Sequence, residues 1–278
     1  MRLPVLSTSH TSHLNHESFT RAVKKARLDL FSTFTNRSDL DGAVALINVA
    51  RPLVWDARCI FEFDAASAAA SPAELLASAL SQFTAHNLTC AQITCSAHSA
   101  PADVLSALAH HHYLPKEQLV MAMDAYAPPP ELRSDLQILP ARSVLSDYAA
   151  FREATLLPTH SPDAARQVAQ CFLDQLDDPR LDMLVARLHQ RIVAAAGVFS
   201  AGEIGIVWDV HTHPHFRRAG LMRTLLHHLL ELCQRSQYKA VILDTEPSNT
   251  PAVRLYESLG FRPSGTFTEY WHESLVNH

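Results

Sequence analysis

Val210-His211-Thr212-His213-Pro214-His215-Phe216-Arg217-Arg218-Ala219-Gly220-Leu221-Met222 is the stretch on which the reading of this chain turns. It opens at the end of a nearly continuous apolar run, Ile204 to Thr212, the pattern of a central strand covered on both faces. It closes in a helix, Gly220 to Ser236, with Leu221, Leu225, Leu226, Leu229 and Leu230 on one apolar face. A helix start leaves backbone N–H groups unpaired and carries the positive end of the macrodipole, so it attracts anions. Gly220 lets the backbone turn left-handed or come close to a ligand. Arg217, Arg218 and Arg223 add formal charge around the same turn, and a guanidinium forks onto phosphate oxygens. The junction reads as a phosphate cradle.

Elements on either side extend the pattern. Upstream, Leu136 to Arg142 reads as a short strand, and Ser143 to Leu157 and Ser161 to Asp177 as helices, the second opened by an N-cap serine followed by proline. Leu181 to His189 and Ile192 to Ser200 read as strands joined by a polar turn. Downstream, Ala240 to Glu246 is a buried strand, Thr250-Pro251 opens a helix that Gly260 closes, and Phe261 to Trp271 supplies a last strand or strand pair.

The N-terminal half is a weaker echo. A helix over Glu17 to Arg27 precedes an expected hairpin, Leu28 to Phe34 and Ala43 to Ala50, turning through NRSDLDG at Asn36 to Gly42. Strand Arg58 to Asp64, helix Ser71 to His86 with the capping box Ser71-x-x-Glu74, strand Ala91 to Ala97, helix Ala102 to His112 and strand Gln118 to Asp124 repeat the order of residues 204–271. Laying Pro115 on Pro263 puts Tyr113 on Phe261 and Leu108 where Tyr256 falls.

A length of 278 residues suits two domains. The proline run Pro128-Pro129-Pro130 marks the expected linker, which divides the chain into residues 1–127, a linker at 128–135 and a second domain at 136–278. Six of the seven glycines lie between Gly197 and Gly265, so demanding backbone geometry is concentrated in the second domain. A net charge of −5 argues against a nucleic-acid partner. No apolar run approaches the roughly 20 residues that span a bilayer, and MRLPVLSTSHTSH lacks the apolar core of a secretory signal. Five scattered cysteines without C-x-x-C spacing suit a reduced, cytoplasmic protein.

Residues 136–272 resemble the GNAT superfamily of acyl-CoA N-acyltransferases. The family pattern Arg/Gln-x-x-Gly-x-Gly/Ala stands here as Arg217 to Met222, after Val210-x-x-x-Pro214. The downstream pattern Asn-x-x-Ala-x-x-Leu-Tyr-x-x-x-Gly-Phe stands as NTPAVRLYESLGF, Asn249 to Phe261. The first half resembles the degenerate halves of tandem members through PLVWDARCIFEFD, Pro52 to Asp64, although its junction Ala65 to Ser71 has neither arginine nor glycine.

The resemblance implies an α/β (mixed α+β) fold of two GNAT-like domains, each a mostly antiparallel mixed sheet flanked by helices. It implies direct transfer of an acetyl group from acetyl-CoA to an amine, either a small molecule or a peptide, without a metal. Val210, His211 and Thr212 would offer backbone to the pantetheine arm on a strand splayed from its neighbour. Arg217, Arg218, Ala219, Gly220, Leu221, Met222 and Arg223 would hold the pyrophosphate, and Asn249 would touch the arm. Met222 stands where the family keeps a small residue. Tyr256 matches the residue that assists departure of the thiolate. Asp244 falls where some members keep an acid that takes the amine proton, with Asp209 as its rival and a water relay as a third route.

Two other readings are open. Asp209-x-His211-x-His213 is similar to the metal-binding strand of the amidohydrolases, which would make this a metal-dependent hydrolase; that family needs a barrel of about 200 residues after the strand. The other is a protein that binds acyl-CoA without catalysis.

Overall fold

The computed structural model describes residues 15–65, 70–96, 100–129 and 132–276. The chain forms two compact units, one of Met1–Ala26 with Leu119–Gly265 and the other of Arg27–Gln118 with Thr266–His278. These do not part at the proline run, as the sequence suggested. Residues 128–135, of which Pro130 and Glu131 lie outside the described residues, fall inside the first unit. The last strand of each half of the sequence finds its hydrogen-bond partners in the other half, and no local pattern announces such an exchange.

Helix α1, His16–Ser32, runs past the expected end at Arg27 and takes in residues 28–32 that the sequence suggested as strand. Leu28, Leu30 and Phe31 are buried along this continuation. The hairpin exists, but its first strand, β1 (Asn36–Leu40), lies within the segment taken for the turn, and it meets β2 (Ala43–Ile47) across Asp41-Gly42. Gly42 supplies the left-handed φ of 63° that such a tight turn requires. β1 is an edge strand with polar residues exposed on both faces, so it carries no apolar alternation to betray it.

The rest of this second unit comprises β3 (Arg58–Phe63), α2 (Pro72–Thr84), β4 (Gln92–Cys95) and α3 (Ala102–His110), with strands ordered β1-β2-β3-β4-β11, where β11 spans Arg262–His272. Trp271, Tyr270 and Glu269 of β11 pair with Gln92, Ile93 and Thr94. The capping box holds α2 as expected: the Glu74 N–H donates to Ser71 Oγ at 3.3 Å and the Ser71 N–H to Glu74 Oε2 at 3.0 Å. Leu108 packs in this unit's apolar core. Residues 66–69 of the junction Ala65 to Ser71, and Ala97 at the end of the expected strand, lie outside the described residues.

In the first unit the strands run β5 (Tyr113–Met123), β10 (Ala240–Thr245), β9 (Ile204–Thr212), β8 (Arg191–Ala201), β7 (Leu181–Leu188) and β6 (Gln137–Pro140). All neighbours are antiparallel except β10 and β9. Helices α4 (Leu145–Leu156) and α5 (Pro162–Gln175) precede β7, α6 (Leu221–Arg235) joins β9 to β10, and α7 (Thr250–Leu259) follows β10. All five leucines of the expected α6 face are buried in the core of this unit. Each such burial contributes about 2 kcal/mol, so together they fix α6 firmly and with it the turn at its start. This is a mixed α/β fold with a mostly antiparallel sheet.

Candidate functional site

The strand before the cradle is bent and parted from its neighbour. β9 pairs in parallel with β10 only at Ile204–Ala240, Gly205–Val241 and Ile206–Ile242. β10 continues alongside β5, through Leu243–Met121, Asp244–Val120 and Thr245–Leu119. β9 continues alongside β8, with Trp208 opposite Gly197 and His211 opposite Ala195. Two residues, Asp209 and Val210, therefore face the single Ala196, which is a β-bulge. Asp209 takes up the bulge with φ of 48°, a left-handed conformation uncommon outside glycine, asparagine and aspartate. Beyond Ile206 the β9 edge that faced β10 is left to accept another extended chain.

After β9, a single turn of 3₁₀ helix at Pro214–Phe216 leads to the start of α6. Gly220 caps the helix with φ of 75° and no side chain closes the end. The first N–H bonded back within the helix is that of Thr224, to Gly220 O at 3.2 Å, so the N–H groups of Leu221, Met222 and Arg223 precede the ladder. A Cβ on Gly220 would meet nothing within 4 Å, so the approach to these amides is open. Arg217 Nε donates to Thr212 O at 3.3 Å, tying the turn to the strand. Arg218 and Arg223 are exposed beside it. Met222, the departure from the family pattern, is only 8% exposed and packs into the core, so its thioether points away from the helix start. One participant gave no sequence signal: Arg133 Nη1 donates to Ala219 O at 2.6 Å while its fork grips Asp135.

On the far side of the gap, Asn249 caps α7, its Oδ1 accepting the Ala252 N–H at 3.4 Å, and Gly260 ends the helix at φ of 102°. This presents Tyr256 inward. Its ring is 6% exposed and meets Phe261 edge-on at 6.0 Å. Burial, then the charges of Asp244 and Asp209, push the Tyr256 phenol well above its usual range, so it keeps its proton. Asp244 is half-buried near the end of β10. The two carboxylates and the phenol thus converge on the place where β9 and β10 part.

Asp209 is already engaged. Its side chain is 7% exposed and lies 3.1 Å from Nη1 of Arg152, itself 1% exposed, and Tyr148 donates to it at 3.5 Å. A carboxylate so occupied is a poor candidate for a free base. Tyr148 and Arg152 were missed in the sequence, although their spacing of four on α4 places both on one helix face.

His211 is half-buried, and burial together with the guanidinium of Arg152 lowers its pKa to about 4. The ring is therefore neutral through the physiological range. The unfolded chain takes up this proton near pH 6.5 and the folded one only near 4, so the folded state loses stability as pH falls through that window. His211→Gln should flatten the acid limb of a plot of melting temperature against pH between 6.5 and 4; an unchanged limb would mean that the ring titrates normally. His213 instead accepts the His215 N–H at 3.3 Å and packs on Phe216, so the two histidines serve different ends. Among the described residues no group of three or more histidine, cysteine, aspartate or glutamate side chains is placed to hold a metal ion.

Residues 147–261, which span the bulge, the cradle and α7, match the acetyltransferase (GNAT) family. A provisional ribosomal protein bS18-alanine N-acetyltransferase of Bacillus subtilis is 24% identical over 103 residues, 37% of this chain and 68% of that protein. The ribosomal protein bS18-alanine N-acetyltransferase of Escherichia coli K12 is 32% identical over 65 residues, 23% of this chain and 44% of that enzyme. The chain thus spans less than half the length of the Escherichia relative it matches. The solved GCN5-related N-acetyltransferase of Kribbella flavida shares the fold over 91% of this chain and 95% of its own, with a TM-score of 0.59 and 16% identity.

Proposed function

We propose that residues 136–272 form an N-acetyltransferase that moves an acetyl group from acetyl-CoA to an amine while both substrates are bound. The observation that carries this is the parting of β9 from β10 directly ahead of an uncapped, open helix start ringed by Arg217, Arg218 and Arg223. A diphosphate suits three free amides and flanking guanidinium groups. A chain bearing two amides suits the unpaired strand edge at Val210, His211 and Thr212, with Asn249 across the gap.

Acetyl-CoA, when bound, supplies an activated thioester. The Val210 N–H or its neighbour polarises the carbonyl as the amine adds. Asp244, or a water it holds, accepts the amine proton as the C–N bond forms. Tyr256 gives its proton to sulfur as the C–S bond breaks. Five buried cysteines, none of them in a disulfide among the described residues, fit a reducing, cytoplasmic setting.

The N-terminal half is, in this reading, a degenerate copy. β3 shows a register shift with Glu62 at φ of 54°, as β9 does at Asp209, yet Leu108 stands in place of the tyrosine. That half takes no part in the chemistry.

The test is release of free thiol from acetyl-CoA with a panel of small amines, amino sugars, polyamines and peptides, including peptides that carry alanine, the residue in the relatives' names. Thiol release with at least one amine is expected. Binding of acetyl-CoA with no release for any amine would make this a binding protein instead.

A further inference from the structure

Arg152 is among the buried charges that the mechanism above leaves unused. It sits on α4 with its guanidinium stacked 3.7 Å from the Phe172 ring of α5, and it reaches Asp209 at the bulge of β9. Neither its Nε nor its Nη1 has a hydrogen-bond partner among the described residues, so the hold on Asp209 is an ion pair. Burying a guanidinium and a carboxylate is costly, and such pairs seldom add stability over an apolar packing of the same volume.

The chain offers its own comparison. Glu62 occupies an equivalent left-handed position at the register shift of β3, and its side chain is exposed. A bulge with an acidic residue at positive φ therefore forms without a buried pair. The pair at Asp209 answers a further demand, and it occurs on the strand that leads into the cradle.

We infer that Arg152 is a positioning residue: through Asp209, and with Tyr148, it holds the bulge rigid and so fixes where the backbone of Val210 to Thr212 lies in the gap. This rests on the acetyltransferase reading for its kinetic consequence, and not for its structural one. The amides at the start of α6 are fixed mainly by the buried leucines of that helix, so the hold on a diphosphate should survive loosening of the bulge. Loosening the bulge lowers turnover and leaves the hold on the nucleotide intact.

Asp209→Asn keeps the shape of the side chain and a residue type tolerant of positive φ while removing the charge. Arg152→Met/Asp209→Asn removes both charges and keeps an unbranched side chain on Phe172. The double variant should melt close to the parent. Hydrogen exchange of the peptide covering 206–213 should be at least about fivefold faster in it. Its affinity for coenzyme A by calorimetry should stay within about twofold of the parent, while kcat falls about tenfold or more. Arg152→Lys, which keeps the charge, should recover part of that loss.

Unchanged exchange in either folded variant overturns the inference, whatever the activity. Faster exchange with parental kcat also overturns it, since the pair would then be structural only. If the parent itself binds no acetyl-CoA and releases no thiol, the acetyltransferase reading falls; the exchange result still decides whether the pair holds the strand.

Discussion

Gly220→Asp should lose acetyl-CoA affinity by at least about 100-fold, worth about 3 kcal/mol, while Gly220→Asn loses about tenfold or less. The two substitutions place nearly the same atoms at one position. Gly220 has φ of 75°, and a Cβ there meets nothing within 4 Å, so neither side chain collides with the fold. Aspartate and asparagine are also the residues that best tolerate this conformation after glycine, so their strain is similar. What differs is charge. A carboxylate beside the first amides of α6 satisfies the same positive potential that a diphosphate would, and it repels the diphosphate itself. Stability moves the other way: a negative charge at a helix start is favourable, so Gly220→Asp should melt no lower than Gly220→Asn. A calorimetric titration beside a melting curve separates the two effects. Equal affinities for the Asp and Asn variants would move the anion site elsewhere in the molecule.

The C-terminal half was far more legible in the sequence than the N-terminal half, for physical reasons that can be named. β9 runs over the expected residues, Ile204 to Thr212, because its first four residues, buried on both faces, write a continuous apolar run. The ends of α7 were readable because Pro251 and Gly260 each perform a local task that few residues can, while the capping by Asn249 appeared only in the structure. Residues 28–32 were misread because Leu28, Leu30 and Phe31 suit a strand as well as a helix over so short a window. The exchange of β5 and β11 between the halves of the sequence, and the bulge at Asp209, were invisible for a different reason. Both are facts of pairing between segments distant in sequence, and a one-residue shift in register leaves no mark on either strand alone. The pairing of Arg152 with Asp209 belongs to the same class. Arg217 and Gly220 could be proposed from their own surroundings, whereas Arg152 acquires meaning only once α4 lies against β9.

Tyr256→Phe should lower kcat about 100-fold with little change in the KM for acetyl-CoA and little change in melting temperature. The ring does its packing through its edge-on contact with Phe261, which phenylalanine keeps. The hydroxyl has no hydrogen-bond partner among the described residues, so its removal strands no other polar group. Its proposed work comes late in the reaction, when a thiolate departs and must be neutralised, and that interaction is absent in the ground state. A group needed only then affects turnover and not binding. The environment suits a donor: burial and the neighbouring charges of Asp244 and Asp209 raise the phenol, so it holds its proton throughout the range in which the enzyme would work. It follows that Tyr256 should not contribute a falling alkaline limb to the rate profile below about pH 10. Above that value the unfolded chain releases the phenolic proton and the folded chain retains it, so the wild type should lose stability with rising pH more steeply than Tyr256→Phe does. A Phe variant with unchanged kcat, or one whose loss lies wholly in KM, would remove Tyr256 from the chemistry and leave water as the donor to sulfur.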